Sequence, residues 1–175
     1  NRCYDAVPGV PVWAAAPFTR DGFAGYARYG VEVLRRYGRQ IQAVEIWNEY
    51  NGGFARGPAD GSPEIYAEML RHAYAAIKRE RPDVLVLAGG TIGIPLDWLG
   101  RVFSRAGNDS FDGVSVHPYG YCLTPEHHAV RLENLRALIR RHNRGRDKPV
   151  WVTEQGWHTT QPGELGFREP ISELT

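Results

Sequence analysis

Cysteine, methionine and lysine are scarce in this chain of 175 residues, which holds Cys3 and Cys122, the single methionine Met69, and only Lys78 and Lys148. The cysteines stand far apart and fit no metal-ligand spacing, so they argue for neither a zinc site nor a disulfide framework. No apolar run approaches the roughly 18 residues that suggest a membrane span, and no basic-then-apolar signal segment opens the chain. The chain begins at Asn1 without an initiator methionine, and its start is read as a processed or cut end. A formal net charge of +1 gives no reason to expect nucleic acid, and the arginines are scattered as on a solvated surface. Neither G-x-G-x-x-G nor a Walker loop occurs, so the glycine-loop route to a bound nucleotide is missing.

What is present is the composition of an ordinary folded domain, 42% hydrophobic and 23% charged. Val10–Ala16 is expected to form a short strand that Pro17 stops. Asp21 is a candidate N-cap for a helix whose apolar positions, from Phe23 to Tyr37, keep helical spacing up to Gly38. Ala43-Val44-Glu45-Ile46-Trp47 is an apolar strand running into Asn48 and Glu49, followed by a polar, glycine-rich loop to Ser62. Ser62-Pro63-Glu64 opens a second helix, with Tyr66, Met69, Leu70, Ala73 and Ile77 on one stripe until Pro82. Val84–Ala88 is a continuous apolar run closed by Gly89-Gly90, as in a strand covered on both faces. A short helix from Pro95 to Ala106, a strand over Gly113–Tyr119, a helix opened by Thr124-Pro125-Glu126 and a strand from Pro149 to Glu154 follow. Pro170–Leu174 reads as the start of one more helix.

Strands near positions 10, 43, 84, 114 and 149, each separated by a helix, repeat at about 35 residues and predict a parallel sheet. Polar residues gather at the C-terminal ends of several strands and not around one phosphate loop, which favours a (β/α)₈ TIM barrel over a doubly wound sheet. A whole barrel of this period needs about 250 residues. Five strands in 175 residues are therefore expected to be most of a barrel and not the whole, with three units missing.

Two glutamates offered by two strand ends suit glycoside hydrolysis, in which one carboxylic acid protonates the leaving oxygen and a second carboxylate attacks or activates water. Trp47-Asn48-Glu49 and Thr153-Glu154-Gln155-Gly156-Trp157 resemble the acid/base and nucleophile motifs of the retaining glycoside hydrolases of clan A, most of all family 39 and family 5-like proteins. In that clan the Asn-Glu pair ends strand four and the nucleophile ends strand seven; the strands near 84 and 114 reproduce that count, so the resemblance implies one partial catalytic domain, residues 1–175, covering about strands 3 to 7 and lacking the first two βα units and the C-terminal end of the barrel. A Trp-Asn-Glu-Pro-Asn string is typical of these families, and Tyr50 stands where the proline would be.

The resemblance implies that Glu49 is the general acid/base, Glu154 the nucleophile, and Asn48 a partner of the sugar 2-hydroxyl. It implies that Tyr119 orients Glu154, that His117 lines the same subsite, and that Trp157 is a stacking or wall residue. The implied substrate is an oligo- or polysaccharide, with no cofactor and no metal, and the resemblance tilts the location toward secreted or periplasmic. Read by themselves, Trp13, Trp98 and Trp151 are packing residues, Glu45 could face either way and receives no role, and His127-His128 point apart on a helix. The alternatives are a non-catalytic carbohydrate-binding barrel, which both carboxylates argue against, and a metal-dependent barrel hydrolase, which lacks convergent histidines at strand ends. An incomplete barrel leaves two strand edges unpaired, so the isolated chain is expected to be poorly soluble or molten, and inactive. A monomeric preparation with a sharp thermal transition and glycosidase activity would remove the barrel assignment.

Overall fold

The computed structural model describes residues 8–120 and 123–156. Cys3, Cys122, Trp157, the glycine-containing loop that follows it and the expected helix start at 170–174 lie outside the described residues. Four helices and four strands alternate: α1 (Arg20–Tyr37), β1 (Ala43–Glu45), α2 (Pro63–Glu80), β2 (Leu85–Ile92), α3 (Leu96–Ala106), β3 (Gly113–His117), α4 (Pro125–His142) and β4 (Val150–Val152). All strand pairings are parallel and the spatial order is β1-β2-β3-β4. Each helix packs on the next, α1 on α2, α2 on α3 and α3 on α4. A sheet whose order follows the chain without reversal, with a row of helices stacked in the same order, is a wall of a (β/α)₈ barrel; a doubly wound sheet would show a switch point.

The two faces of the sheet carry different chemistry because side chains alternate along a strand. Val86, Ala88, Val114 and Val116 are fully buried in one apolar cluster with Tyr66, Met69 and Leu70 of α2, Leu99 and Phe103 of α3, and Leu135 and Ile139 of α4. Glu45, Ser115, His117 and Thr153 alternate with that apolar set, and the first two strands meet the last two through them. The polar face is where the strand ends deliver their functional groups.

Local chemistry explains where the helices begin. Thr19, not Asp21, caps α1: its side chain accepts the Gly22 N–H at 3.0 Å, and Asp21 sits in the first turn, where its charge still favours the helix N-terminus. Ser62 caps α2 in the same way, accepting from the Ile65 N–H at 3.3 Å with Pro63 at the first helical position.

Four expectations about strands and tryptophans are corrected. Val10–Ala16 is not a strand: Val12–Ala14 forms one 3₁₀ turn closed by Ala14 N–H to Pro11 O at 2.9 Å, and Ala15 makes a single parallel bridge with Arg56. Pro11, which has no N–H to give a ladder, supplies the carbonyl that closes the turn. β1 stops at Glu45, because the Tyr66 hydroxyl stands between the Ile46 carbonyl and the Gly89 N–H, which would otherwise pair in the ladder. β2 does not end at Gly89-Gly90 but runs through them to Ile92, with a bulge between Gly89 and Thr91. Trp13 and Trp151 are 60% and 39% exposed and are not core residues, whereas half-buried Trp98 packs on Tyr66 and donates to Gly61 O at 2.6 Å.

The double glycine is demanded by the fit of β2 against β3. At Gly89, φ is +124° and a Cβ would stand 2.1 Å from the Ser115 carbonyl oxygen. Gly89→Ala is expected to cost about 3 kcal/mol or more, since strained backbone and a backbone clash add. Gly145→Ala, at φ +79° with nothing within 4 Å, is expected to cost about 1 kcal/mol. Urea unfolding midpoints of the two variants check this; equal losses would mean that the close approach at Gly89 relaxes freely.

Candidate active site

Beyond β1 the backbone turns sharply, and Trp47 and Glu49 adopt positive φ values of 68° and 45°. Left-handed backbone at two non-glycine residues costs free energy and persists only where neighbours over-determine it. Here they do so by hydrogen bonds. The Glu49 N–H donates to Gly90 O at 2.6 Å, and the Trp47 indole N–H donates to Phe54 O at 3.0 Å. Tyr66 supports both strands from below, its hydroxyl donating to Ile46 O at 2.9 Å and accepting the Gly89 N–H at 2.8 Å. Burial holds the Tyr66 phenol far above its ordinary ionisation range, so it remains a donor. Asn51 clasps the end of β2 with its side-chain amide, accepting from Ile92 N–H at 2.9 Å and donating to Ile92 O at 3.1 Å.

These supports bring Glu49, His117 and Glu154 together. His117 ends β3 with its ring fully buried, its Nδ1 3.1 Å from Glu49 Oε1 and 3.6 Å from Glu154 Oε2. One donor atom from each of the three residues lies within 4.8 Å of the other two. The Tyr119 hydroxyl donates to Glu154 Oε2 at 3.3 Å. Glu49 is the more enclosed carboxylate, 15% exposed against 45% for Glu154. Asn48 is half-buried beside Glu49, and Trp157 lies outside the described residues.

Glu45, which the sequence left without a role, faces the same cluster. Its Oε1 is 3.7 Å from His117 Nε2, and its Oε2 accepts the Thr153 hydroxyl at 2.7 Å. The signal that could have found it is period-two alternation: Glu45 lies at the end of β1, on the face that also carries Ser115, His117 and Thr153. Two carboxylates and an imidazole at this spacing suit two kinds of chemistry. They can divide acid and nucleophile roles between Glu49 and Glu154, or they can offer three donors to a divalent cation.

No protein-family model matches the sequence, and none of the curated proteins does. Among solved structures, a family 39 glycoside hydrolase from the gut symbiont Bacteroides cellulosilyticus WH2 superposes with a TM-score of 0.70 at 24% identity, over 90% of this chain and 34% of that one. The GH39 enzyme from Xanthomonas axonopodis pv. citri gives 0.64 at 20% identity, over 82% of this chain and 31% of the other. A GH39 β-xylosidase from Caulobacter crescentus gives 0.62 at 21% identity, over 87% and 33%. The chain thus spans about a third of the length of the structures it matches, and at these identities the likeness carries the fold. The structures it resembles include enzymes of family 39, the family whose motifs its sequence resembles.

The support beneath the site is testable by itself. Tyr66→Phe keeps the ring and removes the hydroxyl, leaving the Ile46 carbonyl and the Gly89 N–H unpaired in the interior. A loss of about 2 kcal/mol in unfolding free energy is expected. A variant as stable as the parent would show that these backbone groups find other partners.

Proposed function

We propose that this chain carries the catalytic face of a retaining O-glycosidase acting on an oligo- or polysaccharide. The observation that carries the proposal is the approach of Glu49 and Glu154, whose carboxylate oxygens come within 4.8 Å of each other beside Nδ1 of His117. Retaining enzymes hold their two carboxyl groups about 5 to 5.5 Å apart, whereas inverting enzymes leave room for a water between them. Glu154 is the nucleophile: more exposed and held by Tyr119, it attacks the anomeric carbon and forms a glycosyl ester. Glu49, more enclosed, gives its proton to the departing glycosidic oxygen. Water then enters, loses a proton to the Glu49 carboxylate and hydrolyses the ester, which frees Glu154 and restores the acid. Asn48, adjacent to Glu49, hydrogen-bonds the sugar 2-hydroxyl, and Tyr119 fixes the direction of the Glu154 carboxylate.

The second reading, a metal-dependent hydrolase, draws on the same cluster of Glu49, His117 and Glu154. Chelation separates the two, since a glycosidase of the proposed kind keeps its full rate in excess EDTA.

Substitutions in the full-length natural chain test the division of roles. Glu154→Gln should abolish turnover even of activated aryl glycosides. Glu49→Ala should lose about 10²-fold or more on substrates with poor leaving groups. It should keep measurable activity on activated ones and gain rate with added azide, which takes the space of the missing carboxylate. Equal losses in both variants on an activated substrate, without azide rescue, would sink the assignment.

A further inference from the structure

We propose that Glu45 is a positioning residue that fixes the tautomer of His117 and thereby keeps the acid proton on Glu49; the second half of this statement rests on the glycosidase reading above. The Glu45 carboxylate reaches across the polar face of all four strands. It starts on β1 and lies over Gly90 of β2, where a Cβ would come within 2.9 Å of its Cδ. It stands 3.7 Å from His117 Nε2 on β3 and accepts the Thr153 hydroxyl, just beyond β4, at 2.7 Å. The separation from Nε2 is too long for a hydrogen bond and acts through charge.

His117 Nε2 is buried and has no hydrogen-bond partner among the described residues. A bare lone pair there would face an anion in a poorly hydrated site, whereas an N–H dipole is attracted to it. The neighbour of one ring nitrogen selects the state of the other, so a proton on Nε2 leaves Nδ1 as an acceptor. Nδ1 is 3.1 Å from Glu49 Oε1, and an acceptor at that distance is satisfied when Glu49 carries its proton and donates it. The Nδ1 contact to Glu154 is longer at 3.6 Å, and Glu154 already receives the Tyr119 hydroxyl at 3.3 Å. The opposite tautomer would place a lone pair against Glu45 and an N–H against Glu49, converting the intended acid into a carboxylate. Gly90 and Thr153 fix the Glu45 carboxylate where it makes this choice.

The test uses the full-length natural chain with ¹⁵N-labelled histidine, the His117 signals being identified by their loss in His117→Gln. The parent should show a protonated Nε2 and an unprotonated Nδ1. Glu45→Gln should shift both nitrogens toward the other tautomer, and Thr153→Val, which frees the same carboxylate, should move them in the same direction. In hydrolysis, Glu45→Gln should slow alkyl glycosides at least about tenfold while slowing nitrophenyl glycosides less than about threefold, because only the former depend on the acid proton. A parent with its proton on Nδ1 overturns the proposal, as do His117 signals indifferent to both substitutions, or equal losses on the two substrate classes. Should the parent hydrolyse neither class while the nitrogen signals behave as stated, the glycosidase reading falls and the tautomer assignment stands.

Discussion

A strand that passes its neighbour without a side chain is the constraint on which the rest of this structure depends. At Gly89 the backbone of β2 lies against the Ser115 carbonyl, and the bulge that follows turns Gly90 to a φ of +54°. Three backbone polar atoms of that short stretch then have a structural duty. The Gly89 N–H goes to Tyr66, the Gly90 N–H goes to the Ser115 hydroxyl, and the Gly90 carbonyl receives the Glu49 N–H. The missing side chain at Gly90 makes room for the Glu45 carboxylate and for the Trp47 carbonyl, which a Cβ would approach to 3.1 Å. Two glycines at the centre of a buried sheet weaken it as a strand, and here Glu45 of β1 and Glu49 beyond it are both placed by them.

Burial divides the labour between the two faces of the sheet. On one, valines and alanines alternate into the helix layer and supply the apolar area that holds the wall together. On the other, a fully buried histidine is surrounded by three carboxylates, an arrangement that forms no part of an efficient core. The backbone hydrogen bonds of Trp47 and Glu49 and the phenol of Tyr66 offset the strain of that turn. The rigidity comes from the helix face and is expressed on the polar one.

Much of this was legible in the sequence, and the exceptions share a cause. Helical periodicity located α1, α2, α3 and α4, and the apolar runs located the centres of all four strands. Glu49, His117, Tyr119 and Glu154 were singled out as strand-end groups, and the structure brings them together. What failed was decided by partners distant in sequence. β1 ends early because the hydroxyl of Tyr66, 20 residues beyond Ile46, stands between the Ile46 carbonyl and the Gly89 N–H. Gly89-Gly90 reads as the close of the strand until Ser115 is seen against it. Val10–Ala16 has strand composition, yet only one bridge to Arg56 forms among the described residues. Glu45 carried no signal beyond its alternation with neighbours, and its role depends on His117 and Thr153, more than 70 positions downstream in each case.

The clasp between Asn51 and the end of β2 has a consequence for how such a site diversifies. Glu49 is tied to Gly90 and Asn51 to Ile92, so the chain leaves the sheet only after both attachments are made. The segment from Gly52 to Gly61 hangs from these fixed points and ties back to the turn twice, the Gly52 N–H donating to Glu49 O and the Phe54 carbonyl accepting the Trp47 indole N–H. Ala55 and Ala59 of this segment are buried in the core, whereas exposed side chains such as Phe54 and Asp60 can exchange aromatic for polar groups without disturbing those backbone bonds. The outer surface of one short stretch of chain and the spacing of the carboxylates beneath it can therefore change one without the other.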